Sequence, residues 1–205
     1  MSHVAIGSLP KYFRHSRGDF SLTSSGWLKA DRKKTEAFRE RLRSSQVDKV
    51  VGISWFTNGT GQESLRRNLP LDTLIEYLKP VQATFVNLQY GDTCEELSNI
   101  EKATGIEIVD ISDIDIFNDL DTLASLISAC DVVVSIDNST VHLAGALGVD
   151  TRVLLPKIPD ERWGLESKDS YWYDNLTLYR QEVQGDWSEP LHKLIEDITN
   201  LPSTP

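Results

Sequence analysis

The chain has 205 residues, 40% hydrophobic and 25% charged, the balance of one globular domain whose core needs no disulfide or metal staple. A formal net charge of −10 argues against broad electrostatic binding of nucleic acid. It leaves room for a phosphate-bearing small ligand, because screening beyond roughly 8 Å makes local donors decisive.

The start "MSHVAIGSLPKYFRHSRG" has no apolar h-region and no run reaches about eighteen apolar residues, so neither a signal peptide nor a membrane span is expected. Residues 1–30 are polar and Ser/Gly-rich. "DRKKTEAFRERLRSS" (31–45) reads as a basic helix with a sparse apolar stripe of Ala37, Phe38 and Leu42. Residues 1–45 are thus expected to be a linker segment whose helix docks weakly at the edge of a domain spanning 46–205, its charges solvated. "KVVGISW" (49–55) reads as a buried strand, followed by a polar, Gly-rich loop to Asn68 and a helix in "LPLDTLIEYLKP". "ATFVNLQ" (83–89) is a second strand. In "YGDTCEELSNIEKATG", Asp92 is an expected N-cap with Glu95 three residues on, and Gly105 an expected C-cap. "IEIVD" is a short third strand, "LDTLASLISA" a helix, "DVVVSI" a fourth strand, "STVHLAGALG" a helix and "TRVLLP" a fifth strand. An aromatic loop, "KIPDERWGLESKDSYWY", precedes a last strand in "LTLYRQ". A closing helix, "DWSEPLHKLIEDI", could be capped by Asp186 and Glu189. Short apolar strands alternating with helices predict an α/β fold: a doubly wound, Rossmann-like parallel sheet with helices on both faces. Cys94 and Cys130 read as free thiols of a reducing compartment, and the cytoplasm is the expected location.

In such a sheet, ligands bind beyond the carboxyl ends of the strands. "VVVSIDNSTVHLAGALG" (132–148) runs from a strand through a polar cluster into a thin helix. A helix starting near Ser139 offers free N–H groups and a positive dipole end, Ser139 and Thr140 add hydroxyls, and Ala144, Gly145, Ala146 and Gly148 would let the helix lie close to the sheet. The dipole supplies only about 0.3–1 kcal/mol, so charge-assisted hydrogen bonds of about 1.5–3 kcal/mol each must add the rest. Asn138 and Ser139 are equally good caps with no ligand at all. A carboxylate at Asp137 repels a bare phosphate, and fits better if it accepts from sugar hydroxyls beside one.

Other motifs do not fit a site. "DID" (113–115) and "DLD" (119–121) imitate metal-binding Asp-x-Asp pairs of a different fold, and His3, His15, His142 and His192 lack ligand spacing, so no metal and no cofactor are expected. Neither a P-loop nor a dinucleotide fingerprint is present.

"DVVVSIDNSTVHLAGALGVDTRVLLPKIPDERW" resembles the C-terminal signature of bacterial tetratricopeptide-linked glycosyltransferases of the GT-B fold, related to the heptosyltransferases and distantly to O-GlcNAc transferase. "VVGISW" with "RRNLPL", "FVNLQYG", "FNDLDTLASLISACDVVVSID" and "SYWYDNLTLYRQEVQGDW" resemble further motifs in the same order, and "GSLPKYFR" with "WLKADRKKTEAFRERL" the inter-domain segment. The resemblance implies that Asp137 faces the donor sugar, that Asn138, Ser139 and Thr140 hold its diphosphate, and that His142 faces the same ligand. Arg67, with Arg66, would neutralise the diphosphate; Gln89 and Gly91 would sit at the second strand end among the donor-binding residues, and Asp119 and Asp121 in the region where base and ribose dock. As alternatives, His142 could be a satisfied helix histidine, the arginines surface ion pairs, and Trp163, Trp172 and Trp187 packing groups. Trp55 and Asn58 match only loosely.

The expectation is therefore the donor-binding half of a metal-independent glycosyltransferase that takes a nucleotide sugar. Its partners would be an N-terminal GT-B domain and a tetratricopeptide array that this sequence lacks. A sugar-nucleotide epimerase and a non-catalytic interaction module with a decayed pocket are the rival readings.

Overall fold

The computed structural model describes residues 3–5, 8–20, 26–43, 47–59, 61–111 and 114–200. Thr60, Asp113 of the "DID" stretch and the serines that end the expected basic helix lie outside them.

Six strands form one parallel sheet: β1 (Val50–Ser54), β2 (Thr84–Asn87), β3 (Ile108–Val109), β4 (Val132–Ile136), β5 (Thr151–Leu155) and β6 (Leu176–Arg180), in the order β3-β2-β1-β4-β5-β6. The order reverses between β1 and β4, which is where a doubly wound sheet opens its crevice. The strands alternate sides with period two. Val51, Ile53, Val132, Val134 and Ile136 join one hydrophobic cluster, Val50 and Val133 a second, and Val153 and Leu155 a third. Eight helices appear among the described residues: α1 (Pro10–Phe13), α2 (Arg32–Leu42), α3 (Gln62–Arg67), α4 (Leu71–Leu78), α5 (Cys94–Thr104), α6 (Leu120–Ala129), α7 (Ser139–Leu147) and α8 (Ser188–Thr199).

Three elements differ from the sequence reading. The loop after β1 contains α3, a single polar turn and a half that carries Arg66 and Arg67. Basic helix α2 is docked, not loosely attached. Its buried stripe is Thr35, Phe38 and Leu42, with Ala37 exposed, and Phe38 and Leu42 share a cluster with Leu123, Leu126 and Ile127 of α6. Burying each large side chain contributes about 1.5–3 kcal/mol, more than the 0–1 of a surface ion pair, so the apolar contact sets the docking. The charges then orient it: Lys34 Nζ donates to Thr122 Oγ1 at 2.8 Å and Arg39 Nη2 to the Ser128 carbonyl at 2.9 Å, near the negative end of α6. The start of α5 is also shifted. Asp92 accepts from the Cys94 amide at 3.2 Å in the turn before the helix, and Thr93 holds the cap position; Gly105 closes the helix in the left-handed conformation as expected.

The small residues of α7 serve two purposes. Ala144 faces the core, but the bare face of Gly145 lies under the ring of Tyr173, where a Cβ would come within 2.7 Å. Gly148 ends the helix at φ +79°. Across the same end run residues 26–28, whose Trp27 and Leu28 amides both donate to the Ala146 carbonyl, at 2.8 and 2.9 Å. The outer edge of β6 is covered in part by the chain before it: Leu178 N donates to the Lys168 carbonyl at 2.7 Å, and Asp169 bridges Thr177 antiparallel.

Candidate functional site

The crevice between β1 and β4 is built by side-chain staples. Asn138, the N-cap of α7, accepts from Thr140 N at 3.0 Å and from Ser135 Oγ at 3.1 Å; its amide donates to Ser54 Oγ at 2.8 Å and the Phe56 carbonyl at 3.3 Å. One side chain thus joins the ends of both strands and caps the helix between them. Gln89 is fully buried, and its Oε1 accepts from Ser54 Oγ, Trp55 N and Phe56 N at 3.1, 3.0 and 2.9 Å. The staple fixes the backbone as it leaves β1. The side chains of Asn138 and Gln89 are spent on the protein itself.

Onto this frame come Asp137, directly after β4, and Arg67, at the end of α3. Arg67 Nη1 lies 3.2 Å from Asp137 Oδ2 and 3.3 Å from its carbonyl oxygen. The Asp137 side chain is only 3% exposed, against 27% for Arg67, so the guanidinium covers the carboxylate and stays partly exposed, with its buried Nε unpaired. Ser139 is exposed at the first turn of α7, and Thr140 is buried beneath it. Arg66 is exposed on α3.

His142, one turn into α7, is engaged at both ring nitrogens: Nδ1 lies 3.2 Å from Tyr173 Oη and Nε2 lies 3.2 Å from Arg162 Nη1. An arginine only donates, so Nε2 accepts and the neutral ring carries its proton on Nδ1, which donates to Tyr173. Burial, then the Arg162 charge, pushes the His142 pKa below its ordinary value. The ring stacks on the fully buried Trp163 at 5.3 Å and 15°, and Tyr173 stacks in turn on Trp27 at 5.3 Å. Asp160 completes the group. It accepts from Arg162 Nε at 2.7 Å and Nη2 at 3.1 Å, and the Arg162 side chain holds its carboxyl below the usual range.

The remaining expected residues lie away from the Arg67–Asp137 contact. Gly91, with φ +101°, and Gln89 line a cavity of about 110 Å³ with Asn87, Thr93, Cys94 and Asp110, beyond β2. Asp119 caps α6, accepting from Thr122 N at 2.9 Å and Oγ1 at 2.5 Å, bonds that lower its pKa. Asp121 is exposed on the first turn of α6. Trp55 is buried with its indole donating to Glu96 at 3.2 Å, and the Asn58 amide donates to Tyr90 Oη at 3.3 Å. Trp163 and Trp187 are buried, whereas Trp172 is partly exposed against Phe20. No group of His, Cys, Asp and Glu among the described residues is placed to hold a metal ion. Nor is any helix among them long and apolar enough to cross a membrane.

Sequence reasoning missed Arg162, Asp160 and Tyr173. The clue to Tyr173 was Gly145, a helical glycine, which can mark close approach by a bulky neighbour. Arg162 and Asp160 stood within a quoted motif, but nothing local indicated that their turn folds back onto α7.

No family model matches the chain. FlbA of Caulobacter vibrioides is 29% identical over 191 residues, which cover 93% of this chain and 32% of FlbA, so the chain spans about a third of that relative. Escherichia coli ADP-heptose LPS heptosyltransferase II superposes with a TM-score of 0.56 at 16% identity, over 83% of this chain and 51% of that one. A glycosyl transferase of family 9 from Veillonella parvula gives 0.54 at 12% identity, over 77% of this chain and 43% of that one. Escherichia coli heptosyltransferase WaaC with ADP gives 0.50 at 17%, over 80% and 48%. The chain therefore spans about half, or less, of each solved relative. What they share is architecture: the six-stranded parallel sheet with flanking helices is the Rossmann-like fold of GT-B glycosyltransferase domains.

Proposed function

We propose that this chain is the donor-binding domain of a metal-independent GT-B glycosyltransferase, holding a nucleoside-diphosphate sugar at the crevice between β1 and β4. The observation that carries the reading is the meeting of Arg67 with Asp137 at the N terminus of α7, where the strand order reverses. A partly exposed guanidinium beside the first turn of α7 suits a diphosphate, and stabilises it as a leaving group once the anomeric bond breaks. Asp119 and Gly91 flank the side on which base and ribose would dock. The relative found with ADP adds support for a nucleotide ligand. An N-terminal GT-B domain, with a tetratricopeptide array, would supply acceptor and base in the cytoplasm.

The test is calorimetric titration with ADP, UDP, GDP and their sugars, repeated on Arg67→Ala and Asp137→Ala. Binding of one nucleotide series, weakened in Arg67→Ala, is expected. The near-complete covering of the Asp137 carboxylate favours a second reading, a non-catalytic interaction module. A well-folded protein that binds none of the nucleotides would establish that reading instead.

A further inference from the structure

Resting on the donor reading above, we propose that Arg162 is the second cationic ligand of the donor diphosphate, opposing Arg67 across the N terminus of α7 and held there by Asp160 and His142.

The topology places the two arginines. β4 lies between β1 and β5 in the sheet, and α7 follows β4. Arg67 arrives from the β1 side, at the end of α3, and Arg162 from the β5 side, in the turn after that strand. The turn is anchored rather than loose: Asp160 caps it by accepting from Arg162 N at 3.1 Å, and Trp163 is fully buried against the His142 ring.

The guanidinium is held yet unsaturated. An arginine has five N–H donors, and three bonds are made, two to Asp160 and one to His142 Nε2. The remaining donors belong to Nη1 and Nη2, the end of the fork that fits two phosphate oxygens side by side. With the side chain 46% exposed, that end is within reach of a ligand.

His142 is thereby excluded as the cation on this side. Its ring nitrogens are both occupied, Nε2 as an acceptor, so the imidazole serves as a neutral bracket for the arginine beside it. The two ion pairs also feel each other. The Asp137 charge reaches Arg162, and the Arg67 charge reaches Asp160. With two carboxylates balancing two guanidiniums, bulk attraction is small, and discrimination falls to the two forks.

The test compares wild type, Arg162→Ala and Arg162→Lys by calorimetry, using ADP, UDP and GDP beside the corresponding nucleoside monophosphates. Thermal unfolding by circular dichroism checks each variant's fold, and Arg162→Gln takes the place of an alanine variant that fails to fold. Loss of two charge-assisted bonds should weaken diphosphate binding about tenfold or more in Arg162→Ala. Monophosphate binding should change much less, so the preference for diphosphate collapses, with partial recovery in Arg162→Lys. A purely structural role would weaken both ligands equally; an unchanged preference overturns this inference while leaving the donor reading intact. Absence of nucleotide binding by the wild type removes the donor reading, and this one with it.

Discussion

Arg67 and Asp137 are seventy positions apart and meet at 3.2 Å, one at the end of a short helix after β1 and the other at the tip of β4. Their contact ties the segment after β1 to the end of β4. Removing the guanidinium leaves a carboxylate that is nearly closed off from water. Arg67→Met should destabilise the protein by about 1–3 kcal/mol, the cost of a buried group left without its partner. Because Arg67 is itself partly exposed, Asp137→Asn should cost less. Urea unfolding of both single variants and the double variant checks this, and the double should cost less than the sum of the singles.

Gln89→Ala should be among the most damaging substitutions near the site. It strips the acceptor from the buried Trp55 amide and the half-buried Phe56 amide at once, at about 1–3 kcal/mol for a buried group left unsatisfied. Loss of roughly 3 kcal/mol in urea unfolding is expected, whereas Gln89→Glu, which keeps the acceptor but not the donor to the Tyr90 carbonyl, should lose less if its carboxyl is protonated by lowering the pH.

Gly145→Ala tests the packing of Tyr173 on α7. The added Cβ would meet the ring at 2.7 Å, including its Cγ, so the whole side chain must move. Overpacking of this kind costs about 1–3 kcal/mol, against a helix-propensity gain of at most about 1. A lower melting temperature and altered Trp27 fluorescence, from the lost stacking on Tyr173, are the expected readouts.

The protonation of His142 should shape stability in mild acid. Its folded pKa lies below the ordinary value of about 6.5, so the unfolded chain binds the proton more readily. Stability from this group is complete above the unfolded value and declines as the pH falls towards the folded one. Urea unfolding from about pH 8 down to about pH 5 should show a decline in wild type that is smaller in His142→Gln.

Thiol chemistry should separate the two cysteines. Cys130 is buried, which pushes its pKa up to about 12, while Cys94 is exposed at the start of α5. One thiol per chain should react with an aromatic disulfide reagent in the native protein, slowly because Asp92 raises the Cys94 pKa, and both should react in denaturant.

The fold was legible where burial is continuous. Runs such as Val132–Ile136 admit few alternatives to a buried strand, and the left-handed cap at Gly105 follows from its place after a helical run, whereas Gly148, expected to ease packing on the sheet, caps α7 instead. α3 was hidden because its six residues, QESLRR, have no apolar repeat long enough to register. The docking of α2 was underestimated because Thr35, a polar residue, completes its buried stripe. In the site, the pairing of Arg67 with Asp137 and the cap at Asn138 lay near residues already singled out. The contacts of Arg162 and Tyr173 with His142 span 20 and 31 positions, across β5 and the irregular chain after it, where no periodicity carries information.

The margins of the sheet have a consequence for how the protein behaves when concentrated. On one side β3 is only two residues long, and on the other Lys168 and Asp169 lie across the start of β6. Among the described residues, neither rim presents a long ladder of free amides and carbonyls that a neighbouring molecule could extend, which is how natural β proteins escape fibrous self-association. Shortening the stretch around Asp169 would uncover such a rim and leave the protein prone to clump.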